Sequence, residues 1–332
     1  MKEHDQASGL TRQMGLAGLA ATGICSMLGA SIYIVPFMIQ RNVPGIGPDV
    51  LTAFLFAAVP AIFAAFAYSI LASAMPRAGG SYIYASRGLS PYWGFVASFS
   101  QWFGLSIAIG VVSYVIIPFL RDMAAAIGWS DVAALLETGT VRVTFALMIL
   151  WFFVGVNIRG IKVYERTVIP LMILMFVFGG IVIITGFVFS QDDFQAALLT
   201  RENRTVASAN HNFSVTTFLS ASAVLFSSFI GFDSIAQAGG EAKDPQRNLP
   251  LAIAIAVSVV GLFYMLFTAS VYHAVPWTFV AAEASKKDIT APGLMSYFLS
   301  PGWTVAIVAG AAIALTNDLP AMLLSVSRLM FA

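Results

Sequence analysis

Eight stretches of this 332-residue chain run without a single Lys, Arg, Asp or Glu, and that pattern dictates the solvent it can fold in. They lie between Arg12 and Arg41, Asp49 and Arg77, Arg87 and Arg121, Arg142 and Arg159, and Arg166 and Asp192. Three more follow, between Arg204 and Asp233, Arg247 and Glu283, and Asp288 and Asp318. A helix needs about 20 mostly apolar residues to cross a bilayer, so each gap has room for one span. The spans are expected near 15–38, 50–75, 92–119, 142–158, 166–190, 214–240, 249–274 and 303–330. Only 10% of the residues are charged and 59% are hydrophobic, against a soluble norm of about 25% charged. Such a chain could not cover its surface in water, whereas lipid tolerates it once every backbone group is bonded within a helix. The first segment reads as a retained span, since its apolar stretch is too long for a signal peptide and no small-x-small cleavage site follows.

The charges that remain exclude several functions. A formal net charge of +1 offers no basic stripe for phosphates, so no nucleic-acid partner is expected. The single cysteine, Cys25, lies in an apolar run, which rules out a disulfide framework or a cysteine metal site. His4, His211 and His273 are scattered and assemble no metal or acid–base cluster. Neither a nucleotide-binding loop, a Gly-x-Ser-x-Gly elbow nor a zinc-protease motif is present, so neither enzyme chemistry nor a cofactor is expected. Placing the N-terminus in the cytoplasm puts ten Lys and Arg on that side, Lys2, Lys162 and Lys243 among them, and seven on the other. That bias favours an N-in orientation in a cell membrane.

The longest polar stretch, 191–212, divides the spans into five and three. The two parts begin alike. Span one is interrupted by Cys25, Ser26, Gly29, Ala30 and Ser31, and span six by Ser227, Ser228, Gly231, Asp233 and Ser234. Corresponding interrupted helices in two halves are the best sequence pointer to a transporter site at the repeat interface. Unwound backbone survives in lipid only where protein or a watery cavity satisfies it.

Four stretches carry a resemblance. SMLGASIYIVP (26–36) is similar to a Gly-Ser-Gly-Ile-Phe…Pro signature, and AYSILASAMPRAGGSYIYASRGLSPYWGF (67–95) to a second-helix exit. FIGFDSIAQAGGEAKDPQRNLP (229–250) resembles Phe-x-Gly-Phe-(Asp/Glu) followed by Glu-x-Lys-x-Pro-x-Arg-x-x-Pro, and LLSVSRLMFA (323–332) the end of an eighth helix. In this order they resemble the amino acid–polyamine–organocation superfamily. The resemblance implies an all-α membrane protein of the leucine-transporter type, built from inverted five-helix repeats with helices 1 and 6 broken at mid-membrane. The first repeat would be 1–190, the extracellular connection 191–213, and an incomplete second repeat 214–332. Relatives continue past the eighth helix, so the chain is expected to be a shortened version of them. Ser31 stands where the family has a second glycine, and the fifth span lacks the lysine that proton-coupled relatives carry.

The resemblance also implies the site residues. An amino-acid or amine substrate would lie among Ser26, Gly29, Ala30, Ser31, Phe229, Gly231, Phe232, Asp233 and Ser234. Half-helix N-termini suit its carboxylate, and glycine permits close backbone approach. Asp233 has two readings, a functional acid within the membrane or a cap on the second half-helix. Asp318, with Asn317 and Thr316, likewise reads either as an ion-coupling group for H+ or Na+ or as a helix start with Pro320 in its first turn. Glu241, Lys243 and Arg247 form the expected cytoplasmic latch between spans six and seven. The implied function is secondary active transport of an amino acid or amine by alternating access. The alternative is a non-transporting sensor or partner subunit that keeps only the binding site.

Overall fold

The computed structural model describes residues 11–29, 31–206, 210–286 and 288–332. Ala30, Lys2, His4 and Lys287 lie outside the described residues. Eight helices, or pairs of half-helices, are long and apolar enough to cross a membrane. The chain is a multi-pass membrane protein.

Span one is two helices, α1 (Leu16–Leu28) and α2 (Ser31–Asn42). The helix ends where Gly29 takes φ −20° and ψ −141°, outside the α region. A tight turn at Gly47–Asp49 leads into α3 (Val50–Ala74), and a short α4 (Gly80–Gly88) precedes the long α5 (Pro91–Ala126). Then come α6 (Ser130–Glu137), α7 (Gly139–Ile158), α8 (Ile161–Val188) and α9 (Gln191–Glu202). Span six is helical through α10 (Val215–Phe226) and tightens into a 3-10 turn at Ser227–Phe229. It resumes as the short α11 (Asp233–Gln237). Spans seven and eight are α12 (Pro245–Ala274) and α15 (Pro301–Phe331), joined through α13 (Trp277–Ala284) and α14 (Ala291–Met295). Both expected breaks are present, in spans one and six.

Several boundaries differ from those the charge gaps suggest. The fifth span starts at Ile161 rather than 166 and takes Lys162, Glu165 and Arg166 into its first turns. Gly160, at φ +96°, sets that start. The polar stretch after it begins as helix α9, whose entry Ser190 and Asp193 secure with a reciprocal capping box. That box satisfies two N–H groups that would otherwise lack partners. Asp318 sits deep inside α15, which starts at Pro301, so the reading of Asp318 as a helix start is corrected.

The first and eighth spans are mostly buried, while the fourth and fifth mostly face outward. Around α1 pack α8, α12 and α15, and α15 also packs on α5. The first broken span is therefore enclosed by unbroken ones.

Each face of the bundle carries a buried carboxylate paired with an arginine. On one face Glu241 accepts from Arg328 through both oxygens, Nη2 at 2.6 Å and Nε at 2.9 Å. The Glu241 and Arg328 side chains are 8% and 18% exposed. Beside them Met14 bonds the chain on both sides, its N–H to the Glu241 carbonyl and its carbonyl from the Lys243 N–H, each at 2.9 Å. On the opposite face, at the far end of α12, Arg204 donates to Glu283 at 2.6 Å and to Glu202 at 2.7 Å. Tyr297 donates to the other oxygen of Glu202 at 2.5 Å.

Candidate functional site

The two breaks touch. Gly231 has φ +135°, a conformation that side chains rarely adopt. A methyl group there would also lie 2.5 Å from the carbonyl oxygen of Ser26, at the end of α1. Glycine is thus required for both reasons, backbone angle and close approach. Ser26 keeps a buried hydroxyl oxygen without a protein partner. Burying a hydroxyl unbonded costs free energy, so a polar group at the junction is available to something other than protein.

Tyr264 of α12 spans the first break. Its hydroxyl hydrogen-bonds with Ser31 Oγ and donates to the Met27 carbonyl at 3.2 Å, joining the end of α1 to the start of α2. Its ring stacks on Phe54, with centroids 5.4 Å apart, and Phe229 closes the group at 6.1 Å. Phe232 packs edge-on against Tyr68. The two expected phenylalanines thus line different sides of the junction, each against a tyrosine.

Asp318 meets the first break directly. A methyl group on Gly29 would overlap the Asp318 carboxylate, so glycine is what lets α15 bring an acid onto unwound backbone. Neighbouring Asn317 is fully buried. Its Nδ2 donates to Cys25 Sγ at 2.9 Å, while its Oδ1 is buried without a partner. The Thr316 hydroxyl donates to the Ala312 carbonyl of its own helix at 2.7 Å, which leaves its oxygen lone pairs unused. Of the three expected ion-coupling residues, Asp318 and Asn317 reach the break.

Asp233 is the first residue of α11, and Gln101 of α5 donates its amide to the carboxylate. The N–H groups of Gly231 and Ser234 also turn toward it. It therefore contacts both the half-helix start and a neighbouring span, and Ser234 is buried behind it. Glu241 pairs with Arg328, whereas the exposed Lys243 and Arg247 pair with no described side chain. Gln101, Gln237, Tyr264 and Arg328 belong to this constellation and were not singled out by the sequence. A carboxamide inside a charge-free span was the available signal for Gln101.

This arrangement, two unwound segments pressed together and rimmed by acids and an unbonded hydroxyl, can be set beside known proteins. The amino acid permease family profile matches residues 14–332. This chain belongs to the amino acid permease family. Mouse cationic amino acid transporter 4 is 25% identical over 342 residues, covering all of this permease and 51% of the mouse protein. The vacuolar cationic amino acid transporter 4 of Arabidopsis thaliana is 25% identical over 284 residues, covering 83% and 45%. A branched-chain amino acid permease, BcaP of Bacillus subtilis, is 25% identical over 331 residues, covering 97% and 67%. The permease thus spans about half the length of its mouse and plant relatives.

Proposed function

We propose that this permease takes part in secondary active transport of an amino acid or related amine, bound where the two broken spans meet. The single observation that carries the reading is the contact of Gly231 with the Ser26 carbonyl, which puts two unwound helix ends at one point inside the membrane. The positive dipole end at the start of α2 suits a substrate carboxylate. Carbonyls at the end of α1 and before Gly231 suit its ammonium. Ser26, Gly29, Ala30, Ser31, Phe229, Phe232, Asp233 and Ser234 complete the binding residues, with aromatic rings supplying the apolar wall. Named relatives point to cationic or branched-chain amino acids as the first substrates to try.

Asp318 and Asn317 offer oxygen atoms at the first break, a donor set that suits a hard cation or a proton. Either would couple substrate movement to a gradient. The repeat arrangement expected from the sequence, 1–190 and 214–332 around an outer connection 191–213, gives each half one broken span. Rocking of one half against the other would alternate access. Glu241, with Arg328 and the backbone of Lys243, would then fasten the cytoplasmic face, and the N-terminus lies on that side.

The test is uptake of radiolabelled L-arginine and L-leucine by cells producing the permease, scanned against external pH and sodium. Asp318→Asn is expected to change the pH or the sodium response, and Asp233→Asn to reduce uptake. Wild-type uptake with unaltered responses in both variants would return the two acids to a structural role. Saturable binding without uptake would replace transport by sensing.

A further inference from the structure

A chain of hydrogen bonds leads away from Asp233 and ties four helices together. Gln101 Nε2 donates to Asp233 Oδ2. Gln101 Oε1 in turn accepts from Gln237 Nε2 at 3.0 Å, and that same amide donates to Ser81 Oγ at 3.0 Å. Ser81 Oγ is 3.1 Å from the Tyr68 hydroxyl. Asp233 and Gln237 are four residues apart on α11 and so share a face, while Gln101 reaches them from α5, Ser81 from α4 and Tyr68 from α3.

Gln101 presents its NH2 group to Asp233 and its carbonyl to Gln237, which presents its own NH2 group to Gln101. Gln237 is fully buried. Its Oε1 has no partner, the residual cost of that alignment. A bridge that served packing alone would not need two carboxamides in series, since apolar side chains of that size would fill the same space without an unbonded acceptor.

We propose that Gln101 and Gln237 are positioning residues for Asp233, holding its carboxylate at the second break and thereby setting how tightly substrate is bound. The inference rests on the transport reading above, in which Asp233 belongs to the substrate site. Gln101 supplies the hydrogen bond, and Gln237 supplies the direction of the Gln101 amide. Because Gln101 lies on an unbroken span and Asp233 on a broken one, the bond also crosses from a continuous helix to the element that carries the site.

The experiment is equilibrium binding of radiolabelled L-arginine and L-leucine to the purified permease in detergent, with Gln101→Met, Gln237→Met, Asp233→Asn and the double variant Gln101→Met/Asp233→Asn. Losing this buried hydrogen bond is expected to weaken binding severalfold, up to roughly tenfold, in Gln101→Met. Gln237→Met weakens it in the same direction but less. The double variant binds no more weakly than the weaker of its two parents, because both act through one carboxylate. Wild-type affinity in Gln101→Met, or losses that multiply in the double variant, would overturn the proposal. If Gln101→Met does not reach the membrane, Gln237→Met decides in the same way. Wild-type protein that binds neither amino acid would count against the transport reading alone. The bridge is then judged from melting temperatures of the wild type, Gln101→Met, Asp233→Asn and their double variant, where additive shifts refute it and strongly non-additive shifts uphold it.

Discussion

Removing Arg328 should destabilise the protein more than removing any exposed charge, because it strands Glu241. Two parallel N–H···O bonds, 2.6 and 2.9 Å long, join the pair. The Glu241 side chain is 8% exposed, so water cannot take over the solvation that the guanidinium provides. Breaking a buried pair by removing one partner typically costs about 3–5 kcal/mol. The partial exposure of Arg328, 18%, places the expected loss for Arg328→Met near the lower end of that range, about 3 kcal/mol. Replacing both partners, Glu241→Leu with Arg328→Met, removes the stranded charge and should recover most of the loss. The coupling in the cycle is then roughly 2–3 kcal/mol. Equilibrium unfolding of the four purified proteins in mixed detergent micelles measures it. A coupling under about 0.5 kcal/mol, the value of an exposed pair, would mean that Glu241 is solvated after all and that the fastening reading is mistaken.

Three further outcomes are expected. Gly231→Leu should abolish amino-acid binding while the protein still inserts, since its side chain would collide with Ser26 and Met27; radioligand binding at the wild-type level would remove Gly231 from the site. Cysteines introduced at Lys162 and Lys243 should resist an impermeant thiol reagent in intact cells while those at Asn203 and Lys286 react, and the opposite pattern would invert the orientation. The Glu283 carboxyl is pushed up by burial but brought net below its ordinary range by Arg204 and Lys286. Tyr297, then Arg204, holds Glu202 low as well. Their contribution is therefore complete above the usual glutamate pKa and lost as pH falls through the lowered values. Melting temperature should drop there, and Arg204→Gln should flatten the drop; an unchanged slope in that variant would refute the assignment.

The spans and both breaks were legible because lipid imposes a rule that charge alone reveals, and because Gly29 and Gly231 stand out in otherwise apolar runs. The short helices α4, α6, α9, α13 and α14 were not, since each lies in a polar or mixed connection where no long apolar run marks it. The ends of span five were blurred for a related reason: Lys162, Glu165 and Arg166 are helical yet charged, so the gap begins after the helix does. The latch shows where local reading misleads. Lys243 and Arg247 are near Glu241 in sequence, but its partner Arg328 is 87 residues away. Gln101 and Tyr264 escaped notice because a neutral amide or phenol in a span breaks no charge rule, although each can bridge helices as well as an ion can.

The arginine–carboxylate fastenings on the two faces differ in how much water they see. Arg204 is 42% exposed and Arg328 only 18%, while their carboxylates are equally buried. Mobile ions screen exposed charges over about 8 Å at physiological ionic strength and reach buried ones far less. Salt therefore acts unequally on the two ends of one molecule. Raising it is expected to weaken the more exposed Arg204 pair before the Arg328 pair.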